Sequence, residues 1–467
     1  MIDKTIKVAS CTIAELFSAD SKPILDSNGT TISGLLEIPE YQRPYVWTEK
    51  EIGKLLLDIQ GHSGQNNKPK YYLGSIILHK HNGKLSIIDG QQRLTTLAII
   101  QHIVDENKVP KIKYLSPTTI LHIQKNYNFL KDKIEELKCF DFSNLNVTLV
   151  VTACEDDAYT FFETQNTGGV RLSGIDIIKA HHLREINPRG KRDEQYAIIW
   201  EKQKNLETVI KQLIKARRWN ALFWEDVPSD RYIKETKQSI IKDFSEKTLE
   251  KRKAAYSQII AIDNYSSIQS TPFKFAIRQP LANGENFIDY LDQFAELYQR
   301  LFKKISENET TSDFEIPYEF FNFNKNIIQK IDGTAFLKEL YEIAVVCYAN
   351  KFGVDNLLEA SFWIFRYCYS LRVSKPKMVR EMSIPVFLKS GHFIFDIILS
   401  SFNHEQLMIW LQQFEYEFNF ENTIGNTVKN RFIDRVAGYF NFSDANEFDE
   451  KLKLGIINKI NKNRNGK

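Results

Sequence analysis

The chain has little cysteine for its length, and its cysteines lack the spacing that a metal site or a disulfide framework requires. Five occur among 467 residues, and none lies in a CxxC pair: Cys11, Cys139, Cys154, Cys347 and Cys368. An odd count without paired spacing disfavours both a disulfide framework and a zinc knuckle. We therefore expect a protein of a reducing compartment.

Long apolar runs and an excess of charge of one sign are also missing. No stretch approaches the roughly 18 apolar residues that a membrane span needs, and the N-terminal MIDKTIKVASCTIAELF lacks the apolar region of a signal peptide. The formal net charge of +3 comes from 62 basic and 59 acidic residues, so nucleic-acid binding would depend on a local patch. We expect a soluble cytoplasmic protein with no membrane partner.

The composition that remains is that of an ordinary folded protein, with 43% hydrophobic and 26% charged residues. The length exceeds the size at which one core stops growing, so two or more domains are expected. Short β-branched runs at 34–38, 72–78 and 85–88 alternate with helical patterns, and one further strand is predicted at 147–152. This first part should be a small mixed-sheet domain.

The second half has almost only helical periodicity. Two capping boxes, Thr48 with Glu51 and Ser173 with Asp176, predict helix starts in the first domain. Later helical stretches are predicted near 191–224, 246–262, 284–306, 334–350, 354–372, 405–417 and 425–440. The fold class is therefore α+β, with a mixed-sheet domain and its helical extension at 1–187 followed by an all-α domain at 188–467.

Residues 85–100, LSIIDGQQRLTTLAII, place polar side chains between a strand and a helix. Asp89 and Gly90 make the turn, and Gln91, Gln92 and Arg93 fall in the first helical turn, where unpaired amides and the positive end of the dipole form an anion site. The alternative is an ordinary helix start, in which Asp89 caps the helix, the glutamines face water and Arg93 makes a surface ion pair.

Two further segments repeat this chemistry at strand ends. In IPEYQRPYVW, residues 38–47, Gln42 and Arg43 are flanked by aromatic side chains that could stack on a base, or that simply pack the sheet onto the next helix. In YYLGSIILHK, Gly74 and Ser75 interrupt an apolar strand, and a glycine there often marks a close approach of a ligand. Together the three segments predict one pocket.

In this order and spacing, IPxYQRxYxW, LGSIIL, IDGQQRLTTL and FETQNTGGVRLSGIDIIKAH resemble the N-terminal domain of the GmrSD-type family of restriction and phage-defence proteins, over roughly residues 12–185. The resemblance implies a ParB/sulfiredoxin-like nucleotide-binding fold. It also implies hydrolysis of a nucleoside triphosphate, GTP or another, with Mg²⁺, linked to restriction of phage or modified DNA.

Carried onto these motifs, the resemblance implies roles for individual residues. Arg43 and Arg93 would neutralise phosphate charge, Asp89 would hold Mg²⁺ or position water, and Gln91 or Gln92 would orient that water. The metal ligands themselves stay unknown. The remaining expected nucleotide contacts are Gln42, Tyr45, Gly74, Ser75, Gly90, Thr95, Thr96, Glu163 and Asn166. For the last two, a capped helix end with Gly168 is an equal alternative. Lys179 could face the same site, although a lone lysine on an amphipathic helix is more often solvated.

The chain departs from the family after residue 190. Many relatives carry an HNH-like nuclease domain there, whereas this region has only His392 and His404, and neither lies in a nuclease-like setting. DNA cleavage would then belong to a separate partner nuclease. Basic and aromatic stretches could still line a DNA groove, or their cations could cover the edge of a packed core: Arg217, Arg218, Arg366, Arg372, Lys375, Lys377 and Arg380.

Two functions from different classes fit these observations. The first is an NTP-hydrolysing subunit of an antiphage restriction system. The second is a non-catalytic nucleotide-sensing or DNA-recognition module that gates a separate nuclease. The oligomeric state is left open, and a homo-oligomer is compatible with both.

Overall fold

The computed structural model divides the chain into two compact units, Met1–Lys202 and Gln203–Lys467. Each unit is described by itself below. The structure describes residues 6–63, 70–114, 116–137, 140–154, 157, 173–186, 192–250, 260–262, 268–270, 275–303, 316–376, 378–391, 393–443 and 447–465.

The first unit is built on a five-stranded mixed sheet. The unit has seven strands among its described residues: β1 (Lys7–Thr12), β2 (Ile24–Leu25), β3 (Thr31–Ile32), β4 (Leu35–Glu37), β5 (Tyr71–His81), β6 (Lys84–Asp89) and β7 (Leu145–Thr152). The sheet order is β1-β7-β5-β6-β4, with β2 and β3 forming a separate pair. β7 pairs antiparallel with β1 and parallel with β5, and β6 pairs antiparallel with β5 and parallel with β4. The predicted mixed-sheet domain is confirmed.

Helices cover this sheet, and local sequence explains where two of them begin. The helices of this unit are α1 (Ile13–Phe17), α2 (Glu49–Ser63), α3 (Gln91–Val104), α4 (Pro117–Lys131), α5 (Ile134–Leu137), α6 (Gly174–Arg184) and α7 (Arg192–Lys202). Thr48 donates through its N–H and hydroxyl to the Glu51 carboxylate at the start of α2. Ser173 and Asp176 form a complete capping box before α6. Both predicted helix starts are confirmed.

The core of the first unit lies between the sheet and its helices. β7 alternates buried and partly buried residues, as a strand with one covered face should, whereas Leu85–Ile88 of β6 is buried throughout. α3 is buried along most of its length, and Leu94, Leu97 and Ile100 are completely covered. The first turn of α3 therefore starts inside the domain rather than at its surface.

The second unit is mainly helical in its described residues. Its helices are α8 (Leu206–Arg218), α9 (Ile233–Ile241), α10 (Glu285–Phe302), α11 (Tyr318–Phe323), α12 (Ala335–Phe352), α13 (Leu357–Ser374), α14 (Ser383–Lys389), α15 (Ile394–Ser400), α16 (His404–Gln413), α17 (Val428–Phe440) and α18 (Phe448–Asn465). α12 and α13 are buried on most faces because apolar and aromatic residues surround their axes. The predicted helical second half is confirmed.

Two predicted stretches differ in detail. The stretch 191–224 divides into α7 and α8, because Asn205 adopts a left-handed φ of 61° at the start of α8. The stretch 246–262 was expected to be helical, but its end is strand β8 (Ile260–Ile262), paired antiparallel with β9 (Ile268–Ser270). The β-branched residues of the IAI segment suit this pairing, which overrides the local helical period.

The sequence analysis also expected no membrane-spanning segment, and helix length and apolarity bear on this expectation. Within the part of the chain that the structure describes, no single helix is both long and apolar enough to cross a membrane. The bent pair α14 and α15 meets that test of length and composition only when the two short helices are counted together.

Candidate functional site

The DGQQR segment forms a tight strand-to-helix turn. β6 ends at Asp89, and Gly90 is the N-cap residue of α3, with a left-handed φ of 96° and no side-chain cap. A Cβ at Gly90 would lie 2.2 Å from Cδ1 of Ile76, so both the dihedral and the space require glycine. Asp89 does not cap the helix. It accepts a hydrogen bond from Arg93 instead, at 3.3 Å.

Arg93 is engaged by the neighbouring strand. Its Nη1 donates to the carbonyl of Leu73 at 2.7 Å, and its Nη2 donates to the carbonyl of Ser75 at 2.9 Å. The pairing of β5 with β7 shifts register between Tyr72 and Ser75, and Gly74 within this bulge has a φ of 102°. A Cβ at Gly74 would lie 2.7 Å from Arg93 Nη1. Gly74 does mark a close approach, and the approaching group is Arg93 of the same chain.

Gln92 joins the two glutamine-arginine segments. Its Oε1 accepts hydrogen bonds from the amides of Val46 and Trp47 at 2.9 and 3.2 Å, and its Nε2 donates to the carbonyl of Pro44 at 3.1 Å. Gln42 completes the connection by donating to the carbonyl of Ile88 at 2.9 Å. The side chain of Gln92 is thus buried and positions the 44–47 segment, instead of facing water.

Tyr45, Thr95 and Thr96 are buried and hydrogen-bonded within the first unit, and a nucleotide contact by any of them stays a prediction. Tyr45 is completely buried, and its hydroxyl lies 2.8 Å from Oγ1 of Thr96 and accepts from Nδ2 of Asn126 at 3.1 Å. Burial raises the pKa of Tyr45. Thr95 is buried as well and accepts a hydrogen bond from Tyr114 at 3.4 Å. A base could not stack on Tyr45 while this network is intact.

A small polar pocket lies where the two segments meet. Its enclosed volume is about 30 Å³, which is room for water-sized groups. Gln91 is buried, and its Oε1 has no hydrogen-bond partner among the described residues. Arg43, unlike Arg93, bonds to no other described residue. The lining comprises Ile38, Pro39, Glu40, Gln42, Arg43, Pro44, Gln91, Lys113, Tyr114, Ser116, Thr119 and Glu201.

Glu40 is a pocket residue that the sequence analysis missed. Burial raises its pKa to about 7, and the nearby carboxylates Glu194 and Asp193 add to this effect, whereas Lys113 and Lys179 oppose it. A carboxyl group with such a pKa can exchange a proton near neutral pH. The signal that could have found it is its place inside IPEYQRPYVW as the only carboxylate of that motif.

Lys179 is not the solvated lysine that its helix position suggested. It is 2% exposed, and its Nζ donates to the carbonyl of Gln42 and to Oε1 of Glu201, both at 3.1 Å. The other oxygen of Glu201, Oε2, is buried without a hydrogen-bond partner among the described residues. Lys179, on α6, therefore fixes the carbonyl of Gln42, next to Arg43. Oε2 of Glu201, on α7, is an acceptor beside the pocket that has no partner among the described residues.

Some predicted site residues cannot be placed. Glu163, Asn166 and Gly168 of the FETQNTGG motif lie outside the described residues, as do Lys377 and His392. Among the residues that are described, no group of three or more His, Cys, Asp or Glu side chains is arranged to hold a metal ion.

The arginines predicted for DNA in the second unit bond within the protein. Arg217 donates to the carbonyls of Ile277 and Gln279 at 2.6 and 2.9 Å. Arg218 is 5% exposed and pairs with Asp243 through Nε and Nη2, at 2.6 and 3.2 Å. A phosphate contact by Arg217 or Arg218 stays a prediction, and it would require these donors to leave their partners.

The later members of the predicted DNA set differ in exposure. Arg366 is buried and pairs with Asp449 through two bonds of 2.6 Å each. Arg372 is buried as well, whereas Lys375 and Arg380 are exposed. Only the exposed residues could meet a DNA surface without repacking, and their role stays a prediction.

The mixed sheet with its DGQQR turn and polar pocket defines a small α/β domain followed by a helical unit. Residues 22–183 match the family described as GmrSD restriction endonuclease, N-terminal domain, which confirms the predicted resemblance for the first unit. Residues 192–426, half of the chain, match a family of unknown function, DUF7834, and the chain belongs to that family. No curated protein matches it. The GmrSD match suggests a component of a phage-defence restriction system.

Proposed function

We propose that this chain is the nucleotide-hydrolysing component of a phage-defence restriction system, and that its reaction centre is the polar pocket between Gln42 and Gln91. The observation that carries the proposal is the combination in one small pocket of three groups: an arginine and a buried amide oxygen that have no partner among the described residues, and a carboxyl group with a pKa of about 7. The match to a restriction-enzyme N-terminal domain supports it.

The pocket has room for only part of a nucleotide. The enclosed space of about 30 Å³ suits a water and a phosphate oxygen, and Arg43 and Lys113 supply positive charge at its wall. A base and ribose would lie beyond the pocket. Mg²⁺ commonly binds through one or two carboxylates together with substrate phosphates, so Glu201, whose Oε2 has no partner among the described residues, is the candidate for it. Such a metal would add Lewis-acid stabilisation of phosphate charge.

The roles of the chain's own residues follow from their contacts. The carboxylate of Glu40 takes a proton from the attacking water, which the Oε1 of Gln91 orients by accepting a hydrogen bond. Arg43 neutralises phosphate charge. Gln92 and Arg93 act through other residues, because Gln92 fixes the 44–47 segment and Arg93 fixes the β5 bulge. In this assignment Gln91 keeps its predicted catalytic role, and Asp89 is the partner of Arg93.

DNA and a partner nuclease complete the proposed system. The family match concerns a restriction enzyme, and the described residues of this chain provide no metal cluster for cleavage. We assign DNA cleavage to a separate subunit that is controlled by the state of this pocket. The exposed Lys375 and Arg380 are the candidates for contact with DNA in the second unit.

The test is phosphate release from nucleoside triphosphates by the purified full-length chain with Mg²⁺. Glu40→Gln and Arg43→Met should each reduce the turnover rate by about 100-fold or more, as expected for loss of a general base or of a phosphate contact. Glu49→Gln removes an exposed carboxylate at the start of α2 and should leave the rate unchanged. The wild-type rate should rise with pH through about 7, because Glu40 must be ionised to act as the base.

A second function, nucleotide sensing, would account for tight nucleotide binding without hydrolysis. Three of the four predicted catalytic residues, Asp89, Gln92 and Arg93, are occupied by hydrogen bonds within the domain, which favours a pocket that binds and reports a nucleotide. Nucleotide binding that depends on Arg43, combined with no phosphate release in the presence of Mg²⁺, would replace the hydrolytic proposal with this sensing function.

A further inference from the structure

Gln42 is the centre of the loop that carries Glu40 and Arg43. Its amide donates to the carbonyl of Pro39 at 3.0 Å, which closes a turn that contains Glu40. Its Nε2 donates to the carbonyl of Ile88 at 2.9 Å, near the end of β6. Glu40 lies two residues before Gln42, and Arg43 directly follows it. The position of Gln42 therefore sets the position of both groups in the pocket.

Lys179 holds the remaining polar group of Gln42, its carbonyl. The Nζ of Lys179 donates to this oxygen at 3.1 Å and to Oε1 of Glu201, also at 3.1 Å. Lys179 belongs to α6 and Glu201 to α7, so one ammonium group joins the loop to two helices that lie far along the chain. Gln42 is thereby fixed through its amide, its side chain and its carbonyl.

Burial makes the contacts of Lys179 strong and difficult for water to replace. The side chains of Lys179 and Glu201 are 3% and 9% exposed. A hydrogen bond of a charged group is stronger in such surroundings than at the surface, where ion pairs contribute little. Without Lys179, the carbonyl of Gln42 would lose its charged donor, and the buried carboxylate of Glu201 would lose its counter-charge.

The charge of Lys179 also acts on Glu40. Burial raises the pKa of Glu40, and the carboxylates of Glu194 and Asp193 on α7 raise it further, whereas the positive charges of Lys113 and Lys179 lower it. The side chain of Lys113 is 63% exposed, so water screens its charge, whereas Lys179 is buried. Lys179 is thus the buried one of the two cations that favour the ionised form of Glu40.

We propose that Lys179 is a positioning residue for hydrolysis in this pocket, because its ammonium group ties the turn that carries Glu40 and Arg43 to α6 and α7. The inference rests on the proposed function, since it needs a reaction at Glu40. A displacement of about 1 Å at a reacting group can lower a rate about 100-fold, so a contact that does not touch the substrate can still govern turnover.

Amide hydrogen exchange of the full-length chain tests the positioning without any nucleotide. In Lys179→Met, peptides from residues 38–47 should exchange about tenfold or more faster than in wild type, because the turn loses a charged hydrogen bond. Peptides from residues 71–81, which Arg93 holds, should stay within about twofold of wild type. An equal rise in both segments would indicate general destabilisation and would overturn the proposal.

A second variant keeps this test decisive if Lys179→Met does not fold. The double variant Lys179→Met with Glu201→Gln also removes the buried carboxylate charge, but it still lacks the donor to Gln42. Residues 38–47 should therefore exchange faster in it, whereas Glu201→Gln alone keeps the donor and should not change their exchange. Lys54→Met, at an exposed position of α2, is the control. Unchanged exchange of residues 38–47 in the double variant would refute the role of Lys179.

Phosphate release connects the turn to the reaction. In Lys179→Met the turnover rate should fall about tenfold or more, and its rise with pH should move to higher pH, because the loss of a positive charge favours the protonated form of Glu40. The double variant should show the same loss and shift relative to Glu201→Gln. An unchanged rate and pH profile would overturn the role in hydrolysis. Absence of phosphate release from wild type would instead overturn the proposed function, and the exchange data would still decide whether Lys179 fixes the turn.

Discussion

Replacing Arg93 with methionine should loosen the β5 bulge, whereas the same change at Arg43 should not. Both arginines follow a glutamine and both were predicted to bind phosphate. Arg93 donates to the carbonyls of Leu73 and Ser75 and pairs with Asp89, whereas Arg43 bonds to no other described residue. The matched pair of variants therefore separates a structural arginine from one that is available to a ligand.

The magnitude follows from the contacts of Arg93. A hydrogen bond to a charged group contributes about 1.5–3 kcal/mol, and an exposed ion pair contributes less than about 1 kcal/mol. The side chain of Arg93 is 24% exposed, so water can replace part of the loss. We expect Arg93→Met to lower the local free energy of unfolding by about 2–4 kcal/mol. Arg93→Lys should lower it by about half as much, because a single ammonium group replaces the two donor nitrogens of the guanidinium.

Amide hydrogen exchange of the full-length chain is the appropriate assay, because two units need not unfold together. Peptides from residues 71–81 should exchange about 30-fold or more faster in Arg93→Met than in wild type, if exchange follows local opening. Arg43→Met should stay within about twofold of wild type, as is usual for a residue away from packing features. Equal exchange in the two variants would refute the structural role of Arg93.

Three further predictions concern other parts of the chain. Gly90→Ala should destabilise the first unit by about 1–3 kcal/mol in thermal unfolding, and prior truncation of Ile76 to valine should relieve part of the cost because it removes the clashing Cδ1. Glu40→Gln should flatten the dependence of stability on pH: the folded pKa of Glu40 is raised from 4.5 to about 7, so wild type loses stability as pH rises through this window, and the variant should not. Asp449→Asn should cost about 3–5 kcal/mol by leaving the buried guanidinium of Arg366 without its carboxylate, and chemical unfolding of the second unit should detect this.

The pH dependence of the Arg366 pair has the opposite sign. Burial alone would raise the pKa of Asp449, but the hydrogen bonds and charge of Arg366 hold it below its usual range. Asp449 therefore adds stability above the pKa of an unfolded aspartate, and this contribution is lost as pH falls through the folded value. Wild type should lose more stability than Asp449→Asn on acidification, and equal losses would contradict the charge pairing.

Local chemistry was sufficient for much of the fold. Capping boxes at Thr48 and Ser173, the alternation along 147–152 and the helical period after residue 284 predict elements that the structure contains, because caps and hydrophobic periods act within a few residues. The helical prediction was wrong at 260–262, where strand pairing, a contact between separate segments, decided the conformation; residues 251–259 lie outside the described part of the chain. Local sequence also predicted that Gln42 and Arg43 would share a pocket with the DGQQR turn, and the lining of that pocket includes both of them and Gln91.

The sequence by itself determined which elements form and which polar residues gather at the strand ends. Only the tertiary structure decided which of those residues are hydrogen-bonded within the domain and which remain available to a ligand. Arg43 and Arg93 have the same local signature, but carbonyls of the bulged strand β5 reach Arg93 alone. Glu40 acquires its raised pKa from burial and from carboxylates on α7, far along the chain. Hydrogen-bond satisfaction and desolvation depend on neighbours in space, and a local sequence pattern does not contain them.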